Sequence, residues 1–318
     1  MSYTQSERRQ LSLGHDAAWP AISRTGNQLA FTNSSQNINI WRKDLLHPES
    51  AGLKLVASTR AETNPNYSPD GKHIAFESTL RGDPEIWTSD ADGTNLVQIA
   101  RLNNYATGTP SWSPDGRKIV FDTWYTGRPE VYVVDISELI PHRIVTNIAG
   151  MFLPRWSRDG KWMYFLVGTT EWPRVYRCPE KGGNATVISS GPAFGVHESF
   201  DGEALYFVDA LVDARLKMEP VNPLGPDSPI EGMPGMPLLK DAALWTVVRG
   251  GIYFVPADAP HSICYFDIST RQVRRIMDVD RDFNSHNGGL SVSPDGRWML
   301  YSQVDEVNSD IMVVDHFR

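Results

Sequence analysis

Residues 66–93, NYSPDGKHIAFESTLRGDPEIWTSDADG, combine a tight-turn sequence with two strand-like segments. In SPDG, proline presets the backbone at the second turn position, aspartate bonds nearby backbone, and glycine takes the left-handed position. The apolar segment HIAFES follows this turn, and EIWTSD comes shortly after it. The same arrangement returns at residues 111–135 as SWSPDGRKIVFDTWYTGRPEVYVVD. Residues 66–93 therefore predict one unit of a repeat.

Turns of this kind occur seven times along the 318-residue chain. They are SRTG, SPDG, SPDG, SRDG, SFDG, VRGG and SPDG, at residues 23–26, 68–71, 113–116, 157–160, 199–202, 248–251 and 293–296. Their glycines are 42 to 49 residues apart, a period typical of a four-stranded propeller blade. Seven units account for residues 1–318. The sequence predicts an all-β fold, a single seven-bladed β-propeller domain of four-stranded antiparallel blades.

The two ends of the chain predict how this ring closes. The last unit stops at its third strand, DIMVVD, at residues 310–315, while RRQLSL at residues 8–13 precedes the first turn. We expect the N-terminal strand to complete the last blade, because closure removes the exposed edges of the sheets.

Composition narrows the possible functions. The net charge of −8 argues against a nucleic-acid surface on this chain, since phosphate binding needs clustered Lys and Arg. The two cysteines, Cys178 and Cys264, give no disulfide framework and are expected to be buried structural thiols. No apolar run is long enough to span a membrane, and the first residues do not form a signal peptide. We expect a monomer that is cytoplasmic as written; a periplasmic location stays open if the chain is part of a membrane-anchored parent.

The second repeat resembles that of the TolB-type propellers, also called WD-repeat-like. In PNYSPDGKHIAFESTLRGDPEIWTSDADGTNLVQIA the resemblance is carried by the aromatic residue, SPDG, the strand containing Phe, Ile-Trp and Asp-Gly. It is strongest in the second and third repeats and extends over the whole chain. TolB itself has an extra N-terminal domain and typically six blades, so its periplasmic partner-binding role does not carry over.

The non-identical repeats look more like the propellers that follow a winged-helix DNA-binding domain in bacterial transcriptional regulators. This resemblance implies a sensing or protein-interaction module.

The loops opposite the SPDG turns form a candidate binding face. Aromatic and arginine side chains of the kind that dominate binding surfaces are concentrated there. These residues are Tyr105, Trp124, Tyr125, Phe152, Trp172, Phe194, Trp245 and Phe283, with Arg81 and Arg128. The alternative is that several of these aromatic rings fill gaps between blades.

A second candidate site lies in the central channel. The residue two positions before each turn is small or polar in every repeat: Ala21, Asn66, Ser111, Arg155, His197, Thr246 and Ser291. Because the innermost strands line the channel, Arg155 and His197 are predicted to lie side by side and to bind an anion. A channel filled only with water is the alternative.

Catalysis has weaker support in the sequence. The turn aspartates recur in five repeats, which favours turn formation over chemistry: Asp70, Asp115, Asp159, Asp201 and Asp295. Four scattered histidines are candidates for a metal site, but none has the short spacing typical of one: His15, His197, His261 and His286. No nucleophile elbow and no phosphate-binding glycine loop occurs.

We therefore expect no cofactor, no bound metal and no catalytic residue. The predicted function is non-enzymatic protein interaction or ligand sensing within a bacterial regulatory protein. Its partner would be a protein or small molecule at the loop face or the channel mouth. The alternative is a propeller enzyme, a metal-dependent lyase or a glycoside hydrolase, that acts on a carbohydrate.

Overall fold

The computed structural model describes residues 17–24, 26–102, 106–125, 128–168, 173–209, 214–221, 231–284 and 289–315. All regular elements in these ranges are β-strands, which confirms the predicted all-β class. The first twelve are β1 (Ala17–Ile22), β2 (Gln28–Asp44), β3 (Leu53–Val56), β4 (Glu62–Tyr67), β5 (His73–Ser78), β6 (Glu85–Asp90), β7 (Val97–Ala100), β8 (Ala106–Trp112), β9 (Lys118–Tyr125), β10 (Arg128–Asp135), β11 (Pro141–Arg143) and β12 (Met151–Trp156).

The remaining strands are β13 (Trp162–Val167), β14 (Arg174–Pro179), β15 (Thr186–Val187), β16 (Phe194–Glu198), β17 (Ala204–Asp209), β18 (Arg215–Pro220), β19 (Glu231–Gly232), β20 (Trp245–Val248), β21 (Gly251–Phe254), β22 (Ser262–Asp267), β23 (Val273–Asp278), β24 (Leu290–Val292) and β25 (Trp298–Asp315). The chain divides into two compact units: unit 1 comprises Met1–Asn37 and Asp305–Arg318, and unit 2 comprises Ile38–Val304.

Unit 1 contains β1, the first part of β2 and the last part of β25. β1 pairs antiparallel with the first part of β2, from Ala17 opposite Asn33 to Ile22 opposite Leu29. The amide of Gln28 donates a 2.8 Å hydrogen bond to Asp315. Trp19 and Ile311 are 84% and 76% exposed, so this unit buries little apolar surface around them.

Unit 2 contains six sheets formed by described residues. Five of them are simple four-stranded antiparallel sheets, each made from one repeat: β4–β7, β8–β11, β12–β15, β16–β19 and β20–β23. The sixth joins β24 and β25 from the last repeat to β2 and β3 from the first. Within it, the backbone N–H of Leu45 donates to the carbonyl of Arg297 at 2.7 Å.

The innermost strands of these sheets contact one another in a ring. β4 contacts β8, β8 contacts β12, β12 contacts β16, β16 contacts β20, β20 contacts β24, and β24 contacts β4. Hydrophobic clusters lie between adjacent sheets. In one of them Ile86 and Ala75 from the second repeat pack with Ile119 and Phe121 from the third. These features are those of a β-propeller, in which radial repetition leaves only short edges.

The prediction of seven blades is not confirmed. The described residues form six sheets because the first and last repeats contribute to the same one. In the second repeat, Gly82 (φ 111°) and Pro84 break the chain between the second and third strands. The corresponding residues 34–37 and 304–309 contain neither Gly nor Pro, so β2 and β25 continue as single strands. The predicted closing strand at residues 8–13 lies outside the described residues.

The SPDG turns have the predicted geometry. In the second repeat, Ser68 Oγ donates to Asp70 Oδ1 at 2.6 Å, and the same carboxylate accepts the N–H of Lys72 at 3.1 Å. Gly71 adopts φ 72°, a left-handed conformation that suits glycine. The turn aspartates in the described repeats are thus structural, and burial of Cys178 and Cys264 as free thiols is also confirmed.

Candidate functional site

Four inner strands of unit 2 carry a β-bulge just before the turn. In β4, β8, β12 and β16 the register shifts and one residue adopts a left-handed backbone. These residues are Asn64 (φ 54°), Thr109 (φ 51°), Leu153 (φ 51°) and Gly195 (φ 60°). For a residue with a side chain this conformation costs on the order of 1 kcal/mol, so the surrounding sheet must hold it. Proline, which bulges tolerate, follows in the first three: Pro65, Pro110 and Pro154.

The bulges border a central cavity with a volume of about 360 Å³. All six inner strands contribute to its wall, and the residue two positions before each turn lies on it: Asn66, Ser111, Arg155, His197, Thr246 and Ser291. We call these six residues the inner ring. The cavity has the size of a small-molecule site, for which volumes of roughly 300–1,000 Å³ are usual.

Arg155 supplies a fixed positive charge to the inner ring. Its side chain is partly open to the cavity but otherwise enclosed by protein, and desolvation lowers the pKa of its guanidinium to about 10. It therefore remains protonated at neutral pH. Among the described residues no carboxylate forms an ion pair or hydrogen bond with this side chain. An enclosed cation without a counter-charge is costly, by several kcal/mol in the general case.

His197 follows Arg155 around the inner ring. Burial holds the pKa of its imidazole well below the usual range, and the charges of Arg155 and Arg158 lower it further. The ring centroid of His197 lies 4.4 Å from that of Trp245, with an interplanar angle of 53°. The imidazole is therefore neutral at neutral pH and offers one N–H donor and one acceptor nitrogen.

Other members of the inner ring retain donor capacity toward the cavity. The Oδ1 of Asn66 accepts the backbone N–H of Trp112 at 3.1 Å, which leaves the Asn66 amide N–H groups as donors. The Oγ of Ser291 accepts the backbone N–H of Tyr67 at 3.1 Å, which leaves its hydroxyl hydrogen available. The inner ring thus combines one cation with several neutral donors.

The turn residues at the end of the cavity divide unit 2 into two halves. At the position that is proline in SPDG, the inner strands β24, β4 and β8 are followed by Pro294, Pro69 and Pro114. The inner strands β12, β16 and β20 are followed instead by Arg158, Phe200 and Arg249. We call these two sets of sheets the proline half and the arginine half.

Packing at the turns differs between the two halves. In the proline half Pro294 packs near Gly71, and Pro69 near Gly116. In the arginine half the guanidinium carbons of Arg158 and Arg249 lie 4.6 Å and 4.2 Å from the ring centroid of Phe200, which is 45% exposed. Both distances are within the range of a cation–π interaction.

Glu198 is the carboxylate that lines the cavity beside Arg158. Desolvation raises its pKa, although the backbone N–H of Arg158 and the hydroxyl of Tyr164 both donate to it. The Glu198 carboxylate therefore interacts with Arg158, which is not a member of the inner ring.

The proline half contains two buried carboxyl groups, those of Glu77 and Asp122, which the sequence did not predict. Burial, together with the charge of the nearby Asp122, raises the pKa of Glu77 to about 7. Burial likewise raises the pKa of Asp122 to about 6. The side-chain amide of Asn64 donates to Glu77 at 2.8 Å, and the backbone N–H of Leu153 donates to Asp122 at 2.8 Å.

Three aromatic residues predicted on the loop face are in the core instead. Phe152, Trp245 and Phe283 are only 3%, 2% and 3% exposed and belong to hydrophobic clusters. Their apolar area stabilises the contacts between sheets, as the gap-filling alternative proposes. This corrects their placement on an exposed face.

The other predicted loop-face residues are more varied. Trp124 is 42% exposed, and its ring centroid lies 5.9 Å from that of Phe152. The ring of the half-buried Phe194 lies 6.5 Å from the same phenylalanine. Arg81 is exposed, stacks 5.3 Å over Trp87 and donates to Gln98. The exposed Arg128 begins β10, and the side chains of Tyr105, Tyr125 and Trp172 lie outside the described residues. Their roles in binding stay predictions.

Two of the four candidate histidines, His197 and His261, are described, and they lie in different surroundings. His197 lines the cavity, and His261 is half-exposed with its Nε2 3.5 Å from Asp282. His15 and His286 fall outside the described ranges. Within those ranges no group of three or more His, Cys, Asp or Glu side chains could hold a metal ion.

Sequence reasoning missed the arginine half and the Glu77–Asp122 pair. A signal for the first was available, because Arg158, Phe200 and Arg249 replace proline in three consecutive turns. A signal for the second was also present, because Glu77 and Asp122 occupy equivalent positions after their turns.

Comparison with known proteins supports the TolB-type propeller. A family model described as "TolB beta propeller domain" matches residues 98–218. None of the curated protein sequences matches this chain. The part of the chain that the structure describes has no helix with the length and apolar character needed to cross a membrane.

Solved structures show the same fold at low sequence identity. TolB from Acinetobacter baumannii is 17% identical, with a TM-score of 0.58, over 87% of this chain and 66% of its own. This chain thus spans slightly less than two thirds of that TolB. A chain of the nidogen/laminin complex is 11% identical, with a TM-score of 0.61, over 87% of this chain and 99% of its own. An oligogalacturonate lyase in complex with manganese has a TM-score of only 0.48 at 12% identity, over 91% and 96% of the two chains.

Proposed function

We propose that this chain is a non-enzymatic sensing module of a bacterial regulatory protein and that it binds a small molecule in the central cavity of unit 2. The carrying observation is the cavity of about 360 Å³, to which all six inner strands contribute side chains. Concave sites of this size, with a few convergent polar groups, are where small ligands usually bind.

The chemistry of the inner ring supports binding over catalysis. The turn aspartates that end the inner strands are engaged in their own turns, as Asp115 is with Ser113 at 2.6 Å. His197 is neutral and packed against Trp245, without a described carboxylate to orient it as a general base. The remaining groups, a guanidinium and neutral donors, recognise a ligand without reacting with it.

The proposed role in a regulatory protein is inferred from the sequences of the repeats. Their non-identical, TolB-like sequences are similar to the propellers that accompany winged-helix DNA-binding domains in bacteria. A propeller in that setting needs a signal to sense, and the cavity provides a place for one.

Filling the cavity tests this proposal. Ser111 is 8% exposed and lies on the inner ring, so Ser111→Trp should occupy the cavity, while Ser111→Ala leaves it open. A thermal-shift screen of the full chain with organic acids, neutral sugars and short peptides should find a ligand that raises the Tm of the wild type and Ser111→Ala only. Ser111→Leu serves if the tryptophan variant does not fold.

Two outcomes contradict the proposal. A ligand that stabilises the filled variant as much as the wild type binds elsewhere. Chemical conversion of a bound carbohydrate would replace the sensing function by the enzymatic alternative.

A protein partner at the loop face is the second candidate. Trp124 favours it, because an exposed tryptophan that is anchored on a buried phenylalanine is typical of a binding hot spot. The similar chain from the nidogen/laminin complex was solved as part of a protein–protein complex. Loss of a captured partner in Trp124→Ser but not in Leu139→Ser, at a residue that is 43% exposed, would support this function.

A further inference from the structure

The inner ring has one charge, and that charge is not neutralised by the protein. Arg155 is enclosed by unit 2, is partly accessible through the cavity, and has no carboxylate partner among the described residues. Removing this guanidinium from water on folding costs desolvation free energy. A ligand that brings a negative charge would offset that cost.

The neighbours of Arg155 define the kind of anion. His197 stays neutral, so it adds a donor without adding a second charge. Asn66 and Ser291 have used their oxygens as acceptors and present N–H and O–H groups. A planar oxyanion with two oxygens fits a guanidinium through two parallel hydrogen bonds and accepts further bonds from neutral donors.

The rest of the wall favours an organic anion over an inorganic one. The cavity is also lined by Pro65, Pro110, Trp245 and Leu290, which give it apolar surface next to the charge. Its volume of about 360 Å³ is much larger than a phosphate ion needs. A short carbon skeleton would contact these side chains while its carboxylate reaches Arg155.

The arginine half adds two basic side chains at the turn end of the same cavity. Arg158 lines the cavity wall, and both Arg158 and Arg249 contact the ring of Phe200. Carboxylates oppose these basic groups: Glu198 accepts the Arg158 backbone N–H, and the charges of Glu198 and Asp201 both act on the Arg158 guanidinium. Arg155 is therefore the cation on the cavity wall that has no carboxylate partner among the described residues.

We infer that the cavity binds a small organic carboxylate whose carboxyl group pairs with Arg155. This inference rests on the proposed function, because it names the ligand class of that cavity. It assigns recognition to Arg155 and the neutral donors of the inner ring, and selection of the carbon skeleton to the apolar wall.

Calorimetric titration of the full chain with succinate tests the inference, with the neutral succinamide as the matched probe. Succinate should bind and succinamide should not. Arg155→Met should weaken succinate binding at least 30-fold, because the counter-charge is lost. Arg155→Lys should retain part of the affinity for succinate, because the positive charge remains but the bidentate hydrogen bonding is lost. Arg117→Met, in an exposed turn, should bind like the wild type.

Three results would overturn the inference. Equal binding of succinate by Arg155→Met would place the anion elsewhere. Inorganic phosphate binding as tightly as succinate would show that the apolar wall selects nothing. Absence of binding by succinate, and by benzoate and citrate as carboxylates of other shapes, would exclude the ligand class.

The proposed function can survive such a failure, and the variants separate the two cases. If neutral sugars or peptides stabilise the wild type and Ser111→Ala but not Ser111→Trp, the cavity is a binding site for another class of ligand. If the filled variant responds like the wild type to every stabilising compound, both the carboxylate and the cavity site are wrong.

Discussion

The arginine half and the proline half of unit 2 are built from the same repeat but differ in where they hold charge. The arginine half places Arg155 in the cavity and Arg158 and Arg249 at the turns. The proline half has neutral side chains in the cavity and encloses two acids, Glu77 and Asp122, between its sheets. Residues that every repeat shares form the fold, so departures from the repeat are the places to look for function.

Adding a positive charge to the cavity wall of the proline half should cause the largest loss of stability. Ser111→Arg adds a second cation to the inner ring without a counter-charge, so the free energy of unfolding should fall by about 3 kcal/mol or more. Ser111→Gln adds similar length without charge and should cost clearly less. Urea denaturation of both variants measures the difference, and equal losses would mean that crowding, not charge, distinguishes the halves.

Removing the charge from the arginine half should stabilise the protein without ligand. Arg155→Met replaces an unpaired guanidinium with an apolar side chain of similar length, and we expect a gain of about 2 kcal/mol in the free energy of unfolding. Arg117→Met should change it little. A loss of stability in Arg155→Met would reveal an internal partner for Arg155 and weaken the distinction between the halves.

The enclosed acids of the proline half should make stability depend on pH. The pKa of Glu77 is raised to about 7 from an ordinary value of 4.5, so the unfolded chain ionises first as pH rises. Stability from this group is therefore present at low pH and lost between about pH 4.5 and 7. Glu77→Gln should remove this group's share of the decline and be about 2 kcal/mol more stable than the wild type at pH 8, relative to pH 5.

The exposed Glu138→Gln is the matched control for that measurement, by urea denaturation across pH. If Glu77→Gln and the wild type lose stability in parallel from pH 5 to pH 8, Glu77 is not the group that titrates.

Exchanging the turn residues should have the smallest effect. Phe200→Pro restores the SPDG sequence and stiffens the unfolded chain, which contributes about 0.4–1 kcal/mol. It also removes the contacts with Arg158 and Arg249, which contribute about 0.5–1 kcal/mol at exposed sites. The two effects should nearly cancel, and a Tm within a few degrees of the wild type is expected. A large loss would show that Phe200 organises the arginine half.

The sequence predicted the repeat unit well because a turn is a local structure. Ser68, Asp70 and Gly71 form their turn from contacts within a few residues, and the same spacing predicted the strands on either side. The inner ring was also predictable, since a fixed offset from each turn carries Arg155 and His197 to the cavity wall.

The pairing of the first and last repeats was not predictable in the same way. It depends on which distant strands meet, and the spacing of the turns is the same whether repeats form separate sheets or share one. Three of the predicted loop-face aromatic residues, Phe152, Trp245 and Phe283, were misplaced for a related reason. Whether Phe152 is exposed depends on how closely the neighbouring sheets pack, and its sequence neighbours do not determine that.

The shared sheet of the first and last repeats has a consequence for synthesis on the ribosome. Asp44 and Arg297, whose side chains meet in that sheet, are 253 positions apart in the chain. At about 5–20 residues per second, β2 and β3 wait roughly 10–50 seconds for β24 and β25 to be made. During that time the five single-repeat sheets can form behind them while these early strands keep unpaired edges. The nascent chain is therefore most open to chaperones, and to mispairing with another nascent copy, at its oldest strands.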